Sequence, residues 1–274
     1  MNQNQMLTEQ RRRLILEHLR ERGAVRTSEL SELFSVSPMT IRNDLNALAQ
    51  AGELIRIHGG AIAREPLASE PSYHEKETVN LEAKRAIGRL AATMIEEGMA
   101  VFIGNGTTTM QIVKHLPPEV RFRAFTNALT HAVELSKLPQ VEVYVVGGYL
   151  RGVSYAMVGR LARQALDGVY FDLAFLGANG VSLEHGVTIP ALEEAETAAE
   201  VVRHARKTVL VVDRTKFGVV THGKIADLAD VDAIVTDRPL ALDLARAMEE
   251  LDVELLVAEK GGDGQEKTDG PVDT

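Results

Sequence analysis

The chain has 274 residues, 45% of them hydrophobic, which is enough to bury a core in each of about two domains. It contains no cysteine, so disulfides and thiolate-bound metal sites are excluded. Its polar first residues lack the apolar core of a signal peptide, and no apolar run reaches the roughly 20 residues of a membrane span. We therefore expect a cytoplasmic protein without a membrane partner.

Charge is distributed unevenly along the chain, whose net charge is −9. Residues 1–64 carry +2, and the remainder carries −11. Every basic residue in this first segment is an arginine, the residue best suited to forked contacts with phosphates and base edges. A solvated helix face explains the same arginines, so charge alone leaves both interpretations open.

The first residues follow a helical rhythm. Apolar side chains recur at helical spacing from Thr8, and Gly23 is predicted to end this first helix. Thr27 and Ser28 are candidate N-caps of a second helix, because their hydroxyls can accept a hydrogen bond from the first helical turn. A short turn follows this second helix.

A third helix is predicted from Pro38 to Ala51, with Ser37 as its cap. Proline suits the first helical position, where a missing N–H costs nothing. Residues 54–62 form a predicted hairpin with a Gly-Gly tip. Two helices joined by a tight turn, with a hairpin behind them, predict a winged helix-turn-helix domain over residues 1–64.

In such a domain the third helix enters the major groove of double-stranded DNA. Arg42 suits a forked contact with guanine, and Asn43 suits adenine. The helix N-terminus and its hydroxyls suit a phosphate. The residues predicted to contact DNA are Thr27, Ser28, Ser37, Met39, Thr40, Arg42, Asn43, Arg56 and His58. A three-helix packing module with a polar face is the alternative, since helix patterns of this kind are common.

The third helix and the hairpin together resemble the N-terminal signature of the DeoR family of bacterial sugar-operon regulators. The matching residues are Ser37, Thr40-Ile41-Arg42-Asn43-Asp44-Leu45, Gly52, Leu54, Arg56 and His58-Gly59-Gly60-Ala61. The family usually has a second arginine where this chain has Asn43, so we expect a different base preference there. The resemblance continues to about Gly218.

Beyond a predicted linker over residues 65–80, short apolar strands alternate with helices. This pattern predicts an α/β domain over 81–258 with a mostly parallel sheet covered on both faces. The predicted strands are Ala100–Ile103, Arg121–Phe125, Val141–Val146, Phe171–Leu176, Thr208–Val212, Ala233–Thr236 and Glu254–Val257. The predicted helices include Thr108–His115, Leu129–Lys137, Ala191–Ala205 and Leu240–Leu251. The charged, glycine-rich tail over 259–274 is predicted to be disordered.

A Gly-Thr-rich turn follows the first predicted strand, and polar residues follow several others. Glycines let the backbone approach a ligand, hydroxyls and N–H groups bind phosphate, and ligands collect at the carboxyl ends of parallel strands. The residues predicted to bind an effector are Gly104, Asn105, Gly106, Thr107, Thr108, Thr109, Thr126, Asn127, Gly147, Gly148, Arg151, Asn179 and Lys216. Singly, each is more typical of an ordinary loop.

Several further polar residues have two possible roles. Lys216 suits either a phosphate or an ion pair with Asp213, and the sequence does not choose between them. His131 follows the predicted pocket residue Asn127, although a packing role is favoured. Glu193, Glu194 and Glu196 suit sugar hydroxyls but are more typical of the acidic first turns of a helix.

This layout resembles the DeoR effector domain, which is similar in fold to ribose-5-phosphate isomerase. The resemblance implies a phosphorylated sugar or a related metabolite as the signal, and the family typically has aspartate where this chain has Gly104. The isomerase has catalytic carboxylates in the run that corresponds to Leu176–Gly180. Leu176 and Asn179 cannot act as a general base. We therefore expect binding without turnover, and no catalytic residue, cofactor or metal.

The sequence thus predicts a two-domain transcriptional regulator, a repressor of a carbohydrate-utilisation operon. A homo-oligomer, dimer or larger, would place two recognition helices on two half-sites. One alternative is an isomerase-like enzyme fused to a DNA-binding module, against which Leu176 and Asn179 argue. A second is a DNA-organising protein without an effector, against which Thr107 and Thr108 argue.

Overall fold

The computed structural model describes residues 8–22, 24–57, 59–63 and 70–258. His58 and the predicted disordered tail, 259–274, lie outside the described residues. The chain divides into two compact units, Met1–Glu70 and Pro71–Thr274. Among the described residues, no helix is both long and apolar enough to cross a lipid bilayer.

The first unit has the predicted winged helix-turn-helix fold. Its helices are α1 (Thr8–Arg22), α2 (Thr27–Phe34) and α3 (Pro38–Gln50). Its strands are β1 (Ala24–Arg26), β2 (Leu54–Ile57) and β3 (Gly60–Ala63). They form an antiparallel sheet in the order β1-β3-β2. Strand β1 was not predicted, because three residues are too few to show alternation.

Local capping explains where these elements begin. The Ser37 hydroxyl accepts a hydrogen bond from the Thr40 N–H at 3.1 Å, which confirms the predicted cap of α3. The predicted capping of α2 is wrong. Its N-cap is Arg26, and Thr27 is already the first helical residue. A Cβ at Gly60 would lie 2.0 Å from the Val25 carbonyl oxygen, so only glycine lets β1 and β3 approach.

A buried carboxylate joins α1 to α3. Asp44 is only 2% exposed, and its two oxygens accept from the guanidinium Nε atoms of Arg11 at 2.6 Å and Arg12 at 2.9 Å. The sequence left a solvated helix face and DNA contacts both open for these two arginines, and the structure gives them an ion pair inside the unit. The ion pairs lie beside a small apolar core that includes Ile15 and Ile41.

Replacing Asp44 by alanine should destabilise the first unit by about 3–5 kcal/mol, because the buried guanidinium of Arg11 loses its counter-ion. All five tyrosines lie beyond residue 70, so tyrosine fluorescence reports the second unit while circular dichroism also reports the first. We expect urea unfolding to separate the two signals in the variant. Arg13→Ala, which removes an exposed pair with Glu17, is the control and should change the free energy of unfolding by less than about 1 kcal/mol. An unchanged urea midpoint for Asp44→Ala would contradict this role.

The second unit contains the predicted parallel sheet. Its seven strands are β4 (Ala100–Ile103), β5 (Phe122–Thr126), β6 (Val141–Val145), β9 (Leu173–Leu176), β12 (Thr208–Val211), β14 (Ala233–Thr236) and β15 (Glu254–Val257). They lie in the order β15-β14-β12-β9-β4-β5-β6, and all neighbours are parallel. The predicted fold class is therefore confirmed.

Helices cover both faces of this sheet. They are α4 (Tyr73–Thr78), α5 (Leu81–Ala92), α6 (Thr109–Lys114), α7 (Leu129–Leu135), α8 (Arg160–Leu166), α9 (Leu192–His204) and α10 (Leu242–Glu250), with 3₁₀ turns η1 (Arg214–Lys216) and η2 (Leu228–Asp230). Residues of α5, α6 and α7 share one apolar core with the sheet. Residues of α8, α9 and α10 share the other, which explains why the central strands are buried throughout.

Short antiparallel strands were not predicted. They are β7 (Tyr149–Arg151), β8 (Ala156–Val158), β10 (Gly180–Ser182), β11 (Gly186–Ile189) and β13 (Gly223–Ala226). Strands β7 and β8 form a hairpin, and β10, β11 and β13 form a small sheet. Each has three or four residues, so the sequence offers no periodicity to detect.

Helix α4 lies inside the range predicted as a linker. Ser72 and Glu75 form a reciprocal capping box at its start. Tyr73 is buried, and its N–H donates to the Val153 carbonyl at 2.8 Å. These contacts attach residues 72–78 to the second unit.

Candidate DNA-binding surface and effector pocket

Helix α3 has two different sides. Its buried side consists of Ile41, Asp44, Leu45 and Leu48. Its other side exposes Met39, Arg42 and Asn43. Within the described part of the chain, neither Arg42 nor Asn43 makes a side-chain hydrogen bond or ion pair, so both can contact base edges.

The wing is tied to α3 by Arg56. Its Nε donates to the Asn46 side-chain oxygen at 3.1 Å, and its guanidinium also donates to the Gly60 carbonyl. Arg56, predicted to contact DNA, therefore also fixes the hairpin against the recognition helix. Ser28 is exposed at the start of α2, whereas Thr27 is buried and does not belong to the exposed surface.

The chain reverses its direction of strand addition at β4. Strands β5 and β6 are added on one side of β4, and β9 follows on the other. Such a switch leaves a crevice at the carboxyl ends of the two central strands, which is where ligands bind in open α/β sheets. The Gly-Thr turn after β4 and the loop after β9 flank this crevice.

Gly104 lies directly after β4 and contacts β9. Its N–H donates to the Phe175 carbonyl at 2.9 Å. A Cβ at this position would lie 3.0 Å from Leu176 Cδ2 and 3.2 Å from the Phe175 carbonyl oxygen. Leu176 therefore occupies the space that a side chain at position 104 would need. This fits the glycine found here in place of the aspartate expected from the family resemblance.

Two asparagines fix the turn after β4. The Asn127 side-chain oxygen accepts from the Asn105 N–H at 3.2 Å, and Asn127 Nδ2 donates to the Met157 carbonyl at 3.3 Å. Asn105 Nδ2 donates to Glu194 Oε2 at 3.1 Å. The structure thus brings two predicted effector residues together and adds Glu194.

Glu194 is more than an acidic residue in a solvated first turn. It is 2% exposed and accepts hydrogen bonds from Asn105, Arg151 and Ser154. Arg151 reaches it from the β7–β8 hairpin. The guanidinium charge of Arg151 is therefore balanced by a buried carboxylate, and an added anion would have to compete with Glu194.

The side chains of Thr109, His131 and Thr130 form a chain of hydrogen bonds that supports the same turn. The Thr109 hydroxyl donates to the Gly106 carbonyl at 3.0 Å and lies 3.0 Å from His131 Nε2. His131 Nδ1 lies 3.1 Å from the Thr130 hydroxyl. Since the Thr109 proton is already used, Nε2 carries the imidazole proton and Nδ1 accepts one. Thr109 and His131 are fully buried and serve to position the turn.

Other predicted effector residues make structural contacts. The Thr126 hydroxyl is buried and donates to the Ile103 carbonyl at 2.7 Å. A Cβ at Gly148 would lie 2.6 Å from the Val158 carbonyl oxygen, so this glycine permits the β7–β8 hairpin. The Asn179 N–H donates to the Thr188 carbonyl at 3.0 Å. Thr107 is buried, whereas Gly147 is exposed and Asn105, Gly106 and Thr108 are partly exposed.

Lys84 was missed from the sequence. Only 5% of it is exposed, and its ammonium donates to the Lys76 carbonyl. Burial lowers the pKa of Lys84 to about 8, with Asp213 opposing the shift and Lys216 reinforcing it. The sequence did contain a signal for this burial. Lys84 precedes Ile87 by three residues and Ala91 by seven, which places it on the apolar side of α5.

Asp213 does not neutralise Lys216 by a direct pair. It accepts from the Thr215 N–H at 2.9 Å, the Thr215 hydroxyl and Asn80 Nδ2 at 3.4 Å. In the described part of the chain, Lys216 makes no ion pair with it. The edge beyond β12 therefore holds two lysines around one carboxylate that already accepts three hydrogen bonds.

A cavity of about 260 Å³ opens next to this group. Its lining residues are Asn80, Leu81, Glu82, Ala83, Asp213, Arg214, Asp237 and Arg238. The Asp237 carboxylate accepts from the Arg214 N–H at 2.7 Å. The cavity therefore carries both signs of charge, with the carboxylates of Glu82, Asp213 and Asp237 beside the guanidiniums of Arg214 and Arg238.

Replacing His131 by glutamine should reduce the pH dependence of stability. Burial lowers the pKa of His131 to about 3. Between that value and the unfolded value near 6.5, the unfolded chain binds a proton that the folded chain does not, so stability falls as pH is lowered. The slope from this residue is at most about 1.4 kcal/mol per pH unit.

Glutamine keeps a donor for Thr109 but cannot titrate. We expect the free energy of unfolding, measured in urea from pH 7 to pH 4, to fall less steeply in His131→Gln than in the unaltered protein. His115→Gln, at a partly exposed histidine, is the control. Parallel pH profiles for His131→Gln and the unaltered chain would refute the buried neutral imidazole.

Two protein-family models match the chain. A DeoR-like helix-turn-helix domain matches residues 11–66, and a DeoR C terminal sensor domain matches residues 79–238. These matches cover both structural units. They favour gene regulation over catalysis as the activity of the chain.

Similar proteins cover almost the whole chain. The "HTH-type transcriptional regulator GlpR" of Haloferax volcanii is 36% identical over 244 residues, 89% of this chain and 95% of that protein. The "Putative aga operon transcriptional repressor" of Escherichia coli O157:H7 is 32% identical over 252 residues, 91% of this chain and 94% of that protein. The "Glycerol-3-phosphate regulon repressor" of Escherichia coli K12 is 30% identical over 246 residues, 90% and 97% of the two chains.

Among solved structures, ribose 5-phosphate isomerase A from Methanocaldococcus jannaschii matches with 17% sequence identity and a TM-score of 0.39. The match covers 50% of this chain and 55% of that one.

Proposed function

The chain belongs to the DeoR family of transcriptional regulators, and on this premise we propose that it represses a carbohydrate-utilisation operon under the control of a phosphorylated sugar or a related metabolite. The observation that carries the proposal is the pairing of an exposed Arg42–Asn43 surface on α3 with a polar, lysine-bearing sheet edge in a separate unit. One unit presents groups that read DNA, and the other presents groups that attract a phosphate.

On DNA, α3 would lie in the major groove with Arg42 and Asn43 towards the bases. Ser37 and the first turn of α3 would meet a phosphate, because the Met39 N–H and one proton of the Ser37–Thr40 hydroxyl pair remain available as donors. Arg56 would hold the wing against α3 while the wing contacts the backbone. A homo-oligomer would present two such helices to two half-sites in the cytoplasm.

The effector's phosphate would bind at the carboxyl edge of the sheet, between the Gly-Thr turn and the two lysines. Lys84 and Lys216 repel each other, and Asp213 partly offsets that repulsion, so an added anion near them would be favoured. One relative is named as a glycerol-3-phosphate regulon repressor, which supports a small phosphorylated metabolite. Leu176 and Asn179 supply no general base beside it.

The direct test is operator binding titrated with sugar phosphates. An operator is first selected from random duplexes with the intact protein, and its affinity is then measured with each compound of the panel. The proposal expects at least one phosphorylated compound, and not its unphosphorylated parent, to change operator affinity. Turnover of ribose 5-phosphate by the purified chain would instead favour the isomerase alternative.

Replacing Arg42 by alanine should weaken binding to the selected operator by about 1–3 kcal/mol and change binding to a shuffled duplex much less. The reason is that a base contact is lost while the phosphate contacts remain. Fluorescence anisotropy at fixed salt measures both affinities. Arg13→Ala, on the exposed side of α1, is the matched control. Equal losses on both duplexes would make Arg42 a backbone contact instead.

Replacing Lys84 by methionine should weaken phosphate binding roughly 10–100-fold at pH 7 without lowering the free energy of unfolding. A buried lysine whose pKa lies below its unfolded value destabilises the folded chain below that pKa, so removing the charge relieves a cost. For the unaltered chain, affinity for inorganic phosphate or an active sugar phosphate should fall as pH rises through about 8.

Calorimetric titrations at pH 7 and pH 9 measure this dependence. Lys84→Met should show less of it, and Lys207→Met, at an exposed pair with Glu254, should behave like the unaltered chain. Equal affinity of Lys84→Met and the unaltered chain at pH 7 would remove Lys84 from the effector site.

A further inference from the structure

Strand β6 forms one edge of the seven-stranded sheet. Its inner side pairs with β5 over all five residues, and nothing in the part of the chain that the structure describes pairs with its outer side. Proteins usually protect an open edge with lysine, proline or a bulge. The sequence of β6, Val-Glu-Val-Tyr-Val, contains neither lysine nor proline, its pairing with β5 shows no bulge, and Glu142 is its one charged residue.

This strand is complementary to a second copy of itself. In an antiparallel pair centred on Val143, each Val143 faces its counterpart, Val141 faces Val145 of the partner subunit, and Glu142 faces Tyr144 of the partner subunit. Valine pairs are favourable between strands, and no like charges oppose each other. Within one chain the Tyr144 hydroxyl already donates to Glu142 at 2.6 Å, so this carboxylate is compatible with a tyrosine neighbour.

Exposed apolar side chains continue beyond the strand. Val145 is 48% exposed, and on α7, which packs on β5 and β6, Val133 is 51% and Leu129 40% exposed. A stable interface buries roughly 800 Å² on each partner, which is more than one pair of five-residue strands supplies. The α7 side chains extend the apolar area on the same side of the molecule.

The opposite edge of the sheet is less suitable. Strand β15 has the sequence Glu-Leu-Leu-Val, and self-pairing would place Glu254 opposite a valine. Glu254 also pairs with Lys207 at 3.4 Å, so charged groups lie along that edge. The self-complementary edge is therefore β6.

We infer that β6 pairs antiparallel with β6 of a second copy, forming a twofold dimer with a continuous sheet and with α7 at its margin. The inference names the interface of the oligomer included in the proposed function. It does not depend on which operator or metabolite is recognised.

Lysine substitutions test the interface. The intact chain should be dimeric by sedimentation equilibrium at micromolar concentration. Val145→Lys and Val133→Lys should each raise the dimer dissociation constant on the order of 100-fold. The reason is that a twofold interface would bury two new ammonium groups, one from each subunit. Val257→Lys, at a valine 41% exposed on the opposite edge strand, is the matched control and should leave the constant unchanged.

A cysteine pair tests the register. The chain has no cysteine, so Val143→Cys introduces a single thiol. The Cα atoms of facing residues in an antiparallel pair lie about 4.5–5.5 Å apart, which a disulfide can span. We expect a covalent dimer on a non-reducing gel after mild oxidation. Val145→Cys, whose two copies would lie roughly 14 Å apart, should stay unlinked.

Several outcomes would overturn the inference. They are a monomeric intact chain, a Val145→Lys variant that remains fully dimeric, and dissociation caused by Val257→Lys alone. Dimerisation only after deletion of residues 259–274 would also overturn it, because the chain's own tail would then occupy the edge. A monomeric Val145→Lys variant should still bind a single half-site, because loss of the dimer leaves α3 intact. Measuring this binding separates failure of the interface from failure of the DNA-binding proposal.

Discussion

The position of β4 in the middle of a parallel sheet is the constraint on which the sensor unit depends. Because β5 and β6 are added on one side and β9 on the other, the loops after β4 and β9 cannot cover each other, and a crevice remains. The Gly104 N–H holds the start of the first loop to the Phe175 carbonyl of β9. Leu176 fills the place beside Gly104, so this position of the crevice carries an apolar side chain and no general base.

Charge balance separates the parts of this crevice. Arg151 is neutralised by buried Glu194, and the asparagines around it satisfy one another, so this part is rigid and electrically balanced. Around Asp213 the balance differs, because Lys84 and Lys216 both act on a carboxylate that already accepts three hydrogen bonds. Burial disfavours the charge on Lys84, and an added anion would favour it. In the proposed function, the electrostatic attraction for a phosphate would therefore come from lysines on other elements than the Gly-Thr turn.

Much of the fold could be predicted because buried parallel strands are continuous apolar runs and because caps such as Ser37 act locally. The family and the two-unit arrangement were also predictable from the match of α3 and the wing. Strands such as β7 and β10 could not be predicted, since three residues carry no period. In the site, the sequence placed Gly104 and Asn127 at the correct edge but could not tell that Thr109 and Thr126 point inward, because their hydrogen bonds go to residues remote in sequence. Lys84 was missed because its burial depends on α5 packing against the sheet.

The recognition helix itself leaves little room for an effector to reshape it. Asp44 fixes its inner side to α1 through Arg11 and Arg12, and Arg56 fixes the wing to its outer side through Asn46. Breaking the Asp44 ion pairs would leave a buried charge unpaired, at a cost of about 3–5 kcal/mol, which is larger than a typical coupling energy of about 1–3 kcal/mol. An effector that alters operator affinity must therefore act on how two intact winged domains are presented to two half-sites, because a ligand shifts only those states for which its affinities differ. In a dimer joined through β6, the two sensor units would share one continuous sheet. That sheet would then determine how the two winged domains are presented to the two half-sites.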